Sequence, residues 1–230
     1  MAGVKVEVPS PNPQGPCPAV VFGDLNTSPA AVIVIQEWWG MNQHIQDVGL
    51  EVSKGLKSAA TLVPDLYRGK VTKDREQAAH YAADLDWAGA IQDIDACARY
   101  LKSQGVKKVG VTGFCLGGAV TIATVANYGS IDAAAPFYGI PKKDVFAFDP
   151  AKIKVPIQCH FGELDDKVGF SSPADYEKLK ADLEASGAEL EFYTYNAQHA
   201  FTNKTSPTFD KQAYETSFSR MFQFFEKYLS

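Results

Sequence analysis

The segment 113–118, with the sequence GFCLGG, constrains the fold of this chain more than any other feature. The run before it at 108–112 is typical of a β-strand, and the apolar run at 119–126 is typical of a helix. A sharp glycine-flanked turn between strand and helix is where G-x-S-x-G forms a nucleophile elbow, and here Cys115 occupies the serine position. The glycines leave space for a strained turn, and the helix N-terminus favours a thiolate. The motif predicts an activated thiol; a buried, inert cysteine in a glycine-rich turn is the alternative.

Length, composition and charge limit the classes of protein to consider. With 230 residues, 46% of them hydrophobic, the chain can bury the core of one domain, and no linker or repeat divides 1–230. A net charge of −5 and the lack of a long basic run disfavour nucleic-acid or anionic-membrane partners. No apolar stretch approaches the length of a membrane span, and the N-terminal segment does not have the pattern of a signal peptide.

The cysteines favour a reducing environment. The four of them are too widely and irregularly spaced to form a C-x-x-C or zinc-ligand pair, so no metal or other cofactor is expected. Cys97 falls in a helical pattern and Cys159 in a strand pattern, and both fit core positions. We therefore expect a cytoplasmic protein with free thiols.

Short β-like runs alternate with helical patterns along the chain. The run at 31–35, AVIVI, is wholly apolar, as in a parallel strand that is covered on both faces. Further strands are predicted at 61–64, 109–112, 133–138, 157–161 and 190–195, with an antiparallel edge at 4–8 and 20–22, and helices at 45–56, 91–101, 176–183 and 214–229. The order predicts an α/β fold with a mostly parallel central sheet and helices on both faces. The connection at 141–156 is interpreted as a surface excursion.

A cysteine nucleophile needs a base, and His199 is the best placed of the four histidines. It follows the last predicted strand and precedes the last helix, so it would lie over the carboxyl edge of the sheet. His160 lies inside an apolar strand and fits a core position, whereas His80 fits a helix surface and His44 a loop or helix start. A surface-loop histidine is the alternative reading of His199.

An acid that orients the base is expected where the strand at 157–161 ends. Asp165 or Asp166 could reach a neighbouring histidine from there, although acidic turns are also common as solvated structure. The order nucleophile, acid, base is that of α/β-hydrolases, and it differs from the orders in chymotrypsin and subtilisin.

The loop after the first central strand, 36–40 (QEWWG), is expected to complete the site. In this fold class the corresponding loop supplies one oxyanion-hole N–H, which we assign to Trp38, with Leu116 supplying the other. Glu37 would then lie near Cys115 and could hold the thiol protonated until substrate arrives; a structural carboxylate is the alternative.

Taken together, these residues resemble the dienelactone hydrolase (carboxymethylenebutenolidase) family. The motifs that carry the resemblance span most of the chain in the right order: Gln36-Glu37 with Gly40, Pro64-Asp65-Leu66-Tyr67, the 113–118 segment, Gly162 with Asp165, and His199 with Phe201. The resemblance implies an α/β-hydrolase fold with a triad of Cys115, His199 and Asp165, a resting thiol paired to Glu37, carboxylate-bearing enol-lactone substrates and no metal.

The chain departs from this family in the residues expected to hold the substrate. Members that hydrolyse dienelactone use two arginines; Arg68 lies close to one of these positions, but the other is Asn203, followed by Lys204. Trp39, beside Trp38, is also bulkier than the family pattern. The predicted substrate-binding residues are Arg68, Trp39, Tyr138 and Asn203, in a pocket that is more aromatic and less selective for anions.

The sequence thus predicts a cysteine-dependent hydrolase of lactones or activated esters that acts through a thioester. Its expected partner is a small-molecule lactone or ester, and the chain is expected to be a monomer or a small homo-oligomer. Two alternatives stay open: a non-catalytic α/β-hydrolase relative that binds ligands, and a thiol redox protein with Cys115 as the reactive cysteine.

Overall fold

The central sheet has eight strands and is mostly parallel. The computed structural model describes residues 3–57, 59–142, 145–146 and 148–230. The strands are β1 (Val4–Val8), β2 (Cys17–Phe22), β3 (Ala30–Ile35), β4 (Ala59–Pro64), β5 (Lys108–Phe114), β6 (Ala133–Phe137), β7 (Ile157–Gly162) and β8 (Leu190–Tyr195). Their spatial order is β1-β2-β4-β3-β5-β6-β7-β8. The pairs β1–β2 and β2–β4 are antiparallel and the others are parallel, which confirms the predicted sheet and its antiparallel edge.

Helices cover both faces of the sheet. They are α1 (Gln43–Gly55), α2 (Arg75–Ala83), α3 (Trp87–Ser103), α4 (Leu116–Asn127), α5 (Pro173–Ser186) and α6 (Lys211–Leu229), with a 3₁₀ turn at Pro150–Lys152. Two glycines of β5 lie on opposite faces of the strand, and each faces a helix on a different side of the sheet. Gly110 faces Phe225 of α6, whereas Gly113 faces Gly117 of α4. Because both faces are covered, β3 and β5 are almost wholly buried, which explains their continuous apolar sequences.

Local signals fix several helix ends. The side chain of Asn42 accepts from the Ile45 N–H at the start of α1, and Asp74 caps α2 in the same way. Gly187 ends α5 in the left-handed conformation, as the sequence predicted. Helix α2 contains His80, which the sequence placed on a helix surface, but its bounds were not predicted, because Ala78 is its single buried residue and an apolar stripe is lacking.

Other expectations concern the connections and the cysteines. The predicted surface excursion at 141–156 contains residues 143, 144 and 147, which lie outside the described residues. All four cysteines are free thiols, and Cys97 and Cys159 are buried in the core as expected. Among the described residues, no helix has both the length and the apolar character needed to cross a bilayer.

We expect Gly117→Ala to destabilise the fold, because the packing of α4 on β3 leaves no room for a methyl group. A β-carbon at this position would lie 2.6 Å from the carbonyl oxygens of Ile35 and Gln36. The free energy of unfolding, measured by urea denaturation, should fall by about 1–3 kcal/mol. Gly129→Ala is the matched control, since a β-carbon there meets nothing within 4 Å. Equal stabilities of the two variants would contradict this packing argument.

Candidate active site

Cys115 stands on a strained turn between β5 and α4. Its backbone has φ 54° and ψ −116°, a left-handed conformation that non-glycine residues rarely adopt. The turn is close-packed: a β-carbon on Gly113 would collide with the backbone of Gly117, and one on Gly139 with the carbonyl oxygen of Cys115. The thiol is partly exposed at the carboxyl end of the sheet, where the predicted strand, turn and helix are observed.

The structure brings His199 and Asp165 together. Strands β7 and β8 are parallel neighbours, so the loops that follow them leave the same edge of the sheet. His199 Nδ1 lies 2.8 Å from Asp165 Oδ2, and the Asp165 side chain is fully buried. Asp166, the acid that the sequence left open as an alternative, is exposed and pairs with Lys167 at 2.6 Å. The geometry therefore selects Asp165.

The surroundings of His199 favour its charged form. Burial disfavours the imidazolium, but the negative charge of a nearby Cys115 thiolate and the hydrogen bond with Asp165 outweigh this effect and raise the pKa of His199 to about 10. Since Cys115 is the largest of these favourable influences, the protonation of the ring is coupled to the charge of the thiol. The arrangement can hold a thiolate–imidazolium pair.

Ser171 is a neighbour of His199 that the sequence did not reveal. The residue is fully buried just before α5, and its hydroxyl oxygen lies 3.1 Å from His199 Nδ1. Nδ1 therefore faces oxygens of both Asp165 and Ser171, which restricts rotation of the ring. In the sequence, two serines before Pro173 are typical of a helix cap, and Ser172 does cap α5. Because a capping role already accounts for this pattern, the contact between Ser171 and His199 could not be inferred from the sequence.

Glu37 is held in a buried polar network. Asn203 Nδ2 donates to Glu37 Oε2 at 2.6 Å, and the Tyr138 hydroxyl donates to Oε1 at 3.4 Å. Tyr138 in turn shares a hydrogen bond of 2.5 Å with Thr202. Burial raises the pKa of Glu37, although the nearby imidazolium and these donors act in the opposite direction.

This network corrects two expectations about the residues around Glu37. The resemblance implied a resting thiol paired to Glu37, but the hydrogen bonds of Glu37 in the described part of the chain go to other groups, and Cys115 lies against His199. Tyr138 was expected to bind substrate; it is completely buried and holds Glu37 instead. Asn203 also belongs to this network, and it borders the cavity as predicted.

The two predicted oxyanion donors lie at the same edge of the sheet. Residues 35 of β3 and 113 of β5 are partners in the parallel register, so the loop that contains Trp38 follows β3 beside the turn of Cys115. Leu116 is the first residue of α4, where backbone N–H groups have no acceptor within the helix. Among the described residues, neither the Trp38 nor the Leu116 N–H donates to a protein acceptor. Both remain available to an oxyanion.

A cavity of about 1470 Å³ opens beside Cys115 and His199. Its apolar walls include both neighbouring tryptophans, Trp38 and Trp39, which pack edge to face at 5.1 Å. Glu37, Leu116 and Asn203 also border it. With a few exceptions, the predicted site residues therefore border this one cavity. Other residues that border the cavity, such as Trp87 and Phe170, were not identified from the sequence, because aromatic residues are equally typical of a hydrophobic core.

Arg68 is one exception, and its position corrects its expected role in binding substrate. It does not border the cavity. Its guanidinium makes a bidentate pair with Asp93, with Nη1–Oδ2 at 2.6 Å and Nη2–Oδ1 at 3.0 Å, and Nη2 donates to the Gly15 carbonyl. Asp93 is completely buried on α3, so Arg68 neutralises an interior charge. Lys204, next to Asn203, pairs with Glu51 at 2.9 Å.

Fold and site geometry together define an α/β-hydrolase, with a thiol, an imidazole and a carboxylate at the carboxyl edge of its sheet. The chain belongs to the dienelactone hydrolase family, whose profile matches residues 18–229. It is accordingly a dienelactone hydrolase-like carboxylic ester hydrolase, as the sequence predicted.

The chain is similar to known proteins over most of its length. The carboxymethylenebutenolidase of Pseudomonas putida is 29% identical over 203 residues, which cover 80% of this chain and 82% of that protein. Protein usf of Aquifex pyrophilus is 29% identical over 210 residues, covering 86% and 88%. A Klebsiella pneumoniae structure, provisionally described as a dienelactone hydrolase, shares the fold with a TM-score of 0.83 at 23% identity over 99% of this chain and 100% of that one.

Removal of the Arg68 guanidinium should cost stability, since it leaves Asp93 charged and buried. We expect Arg68→Ala to lower the free energy of unfolding by about 3–5 kcal/mol in urea denaturation. Lys211→Ala is the matched control, because the partner of that lysine is the exposed Glu215 and such pairs contribute at most about 1 kcal/mol. A loss of substrate affinity at unchanged stability would instead support the role of Arg68 in binding substrate that the sequence predicted.

The charge of His199 should depend on Cys115. In wild type we expect the imidazole to lose its proton near pH 10. The titration is measured by nitrogen-15 NMR of the histidine side chains. Cys115→Ala removes the largest influence that favours the imidazolium while burial remains, so the pKa of His199 should fall. His80, which is exposed, serves as the internal reference in both spectra. An unchanged titration in the variant would show that Cys115 does not govern the ring.

Proposed function

We propose that this protein hydrolyses lactones or activated esters with Cys115 as nucleophile, His199 as base and acid, and Asp165 as the orienting carboxylate. The observation that carries the proposal is a thiol on a strained elbow that borders the same cavity as an imidazole, with Nδ1 of that imidazole held by a buried carboxylate. This is the triad geometry of nucleophilic hydrolases with sulfur in place of oxygen.

In the acylation half, the Cys115 thiolate attacks the carbonyl carbon and forms a C–S bond, and the carbonyl oxygen becomes an oxyanion. The backbone N–H groups of Trp38 and Leu116 would bind that charge; the lack of a protein acceptor for either of them among the described residues supports this role. Collapse of the tetrahedral intermediate breaks the C–O bond to the leaving group. The His199 imidazolium gives its proton to the departing enolate or alkoxide, and a thioester remains on Cys115.

In the deacylation half, a water molecule gives its proton to His199 and attacks the thioester. The loss of the thiolate charge on acylation supports this step, because that charge is the main reason for the high pKa of His199. In the acyl-enzyme the ring is therefore more readily neutral and can act as a base. Expulsion of the thiolate releases the acid product and restores the ion pair.

The sulfur nucleophile also restricts the substrate. A thiolate is a good leaving group, so the tetrahedral intermediate returns to substrate unless the alcohol or enolate leaves at least as easily. This condition favours activated esters and enol-lactones over amides. The carboxymethylenebutenolidase relative carries the name of such a lactonase activity. The oligomeric state, a monomer or a small homo-oligomer, and the cytoplasmic location stay predictions.

The proposal is tested by turnover of p-nitrophenyl acetate and cis-dienelactone. Cys115→Ser and His199→Ala should each lower kcat/KM by roughly 10³-fold or more, because each removes a member of a unit that acts together. His80→Ala is the control for histidine removal, since His80 is exposed and outside the cavity. Intact-mass spectrometry of wild type, quenched during turnover of p-nitrophenyl acetate, should show one added acetyl group. Cys115→Ser cannot carry that group as a thioester.

Three results would separate this proposal from the alternatives. Full esterase activity in Cys115→Ala would exclude Cys115 as the nucleophile. A lack of acylation by any activated ester would favour a binding protein. Turnover of peroxide with a thiol reductant, and not of esters, would favour a redox protein.

A further inference from the structure

The hydroxyl group of Ser171 lies against the base of the proposed triad. Its oxygen is 3.1 Å from His199 Nδ1, and the residue is fully buried. In the described part of the chain, this contact is the one hydrogen bond that the hydroxyl makes. The cap of α5 is the neighbouring Ser172, whose hydroxyl donates to Asp175 at 2.5 Å, so helix capping does not explain Ser171. The contact with the imidazole is the role that the geometry leaves for this hydroxyl.

One loop carries both Ser171 and Asp165, and its own hydrogen bonds fix its shape. The Lys167 N–H donates to Asp165 Oδ1 at 3.0 Å, and the Ser171 N–H donates to the Lys167 carbonyl at 2.9 Å. Asp175, in the first turn of α5, accepts from the Gly169 N–H at 2.8 Å. The two oxygens that face the imidazole are therefore preorganised relative to each other.

The direction of the hydrogen bond to Ser171 follows from Asp165. A carboxylate can only accept, so its contact with His199 Nδ1 at 2.8 Å requires a proton on that nitrogen. The Ser171 oxygen faces the same nitrogen and is then a second acceptor for the same N–H. Both acceptors keep the proton on Nδ1, which leaves Nε2 as the nitrogen that exchanges protons with the reacting groups.

Ser171 differs from the other polar neighbours of His199, because its hydroxyl carries no charge. The titratable groups that face the ring come from four parts of the fold: Cys115 on the turn before α4, Asp165 and Asp166 after β7, Glu37 after β3, and Tyr138 after β6. Removal of the Ser171 hydroxyl leaves all of these groups in place. Any change in the behaviour of the ring then reports the hydrogen bond itself.

We propose that Ser171 is a positioning residue whose hydroxyl oxygen accepts from His199 Nδ1 and stabilises the imidazolium that forms during deacylation. The inference rests on the proposed hydrolase function, because it concerns the base of the same triad. As the water oxygen bonds to the thioester carbon, one proton moves from water to Nε2 and the ring becomes positive. Two acceptors on Nδ1 stabilise this charge better than Asp165 alone, since hydrogen bonds to charged groups are the stronger ones.

Acylation depends less on this contact. In the resting enzyme the ring is already charged at neutral pH, because the pKa of His199 is about 10. Loss of one acceptor leaves it charged, so the ion pair with Cys115 persists. A p-nitrophenolate leaving group also departs without taking a proton. The Ser171 contact therefore affects the two half-reactions unequally.

The first measurement follows the two half-reactions separately, with p-nitrophenyl acetate at neutral pH. The burst of p-nitrophenolate reports acylation, and intact-mass spectrometry after rapid removal of substrate reports the decay of the acetyl-enzyme. Ser171→Ala should slow this decay roughly 10-fold, as the loss of a hydrogen bond to a charged group does, and should change the burst rate less than about 3-fold.

The second measurement is the titration of His199 in the resting enzyme by nitrogen-15 NMR, which needs no turnover. Because the Ser171 oxygen accepts from the imidazolium, Ser171→Ala should lower the pKa of His199. A hydroxyl that donated to a bare Nδ1 would favour the neutral ring, so its removal would raise this pKa instead. In wild type, the neutral ring observed above the titration should carry its proton on Nδ1.

Ser172→Ala is the matched control, since it removes the adjacent serine hydroxyl. It deletes the cap of α5 and should lower the stability of the protein. The decay of the acetyl-enzyme and the titration of His199 should nevertheless keep their wild-type values. Urea denaturation of both variants shows that each is folded under the assay conditions.

The outcomes separate this proposal from the one on which it rests. Equal decay of the acetyl-enzyme in wild type and Ser171→Ala would overturn the role of Ser171 and leave the hydrolase intact. A raised pKa of His199 in this variant, or a neutral wild-type ring protonated on Nε2, would also overturn it. Equal slowing in Ser172→Ala would assign the effect to the loop as a whole. If wild type forms no acetyl-enzyme and turns over no ester, the hydrolase proposal fails and this one with it.

Discussion

The left-handed backbone of Cys115 is the constraint on which the site depends. Such a conformation costs about 1–3 kcal/mol and persists only where the surrounding packing enforces it. Here the Cys115 N–H donates to the Phe137 carbonyl at 3.1 Å, and Gly117 lies against the carbonyl of Gln36. Because the ends of β3 and β6 make these contacts, the packing that strains the thiol also places the loops with Trp38 and Tyr138 beside it.

The sequence revealed the parts of the molecule that follow from local pattern. The wholly apolar run at 31–35 predicted the parallel strand β3, which is buried because both faces of the sheet are covered. Cys115, His199 and Asp165 were found because each follows a strand of the parallel part of the sheet, and the carboxyl ends of such strands meet at one edge. The bounds of helix α2 could not be predicted, because the helix buries little and has no apolar stripe; the sequence only placed His80 on a helix surface.

Contacts between distant residues could not be read from the sequence. Asp93 lies 25 residues from Arg68, and Asn203 lies 166 residues from Glu37. Neither pair has a spacing that a helix or hairpin would impose, so each exists only because α3 and the loop after β8 pack where they do. The consequence is chemical: the arginine expected at the substrate stabilises the interior, and the carboxylate expected at the thiol is held by an amide.

These two reassignments bear on the electrostatics of the cavity. A thiolate–imidazolium pair has no net charge, Glu37 is hydrogen-bonded to Asn203, and the Arg68 guanidinium is neutralised by Asp93. The positive charge that borders the cavity therefore comes from other basic residues, among them the exposed Lys73 and Arg75.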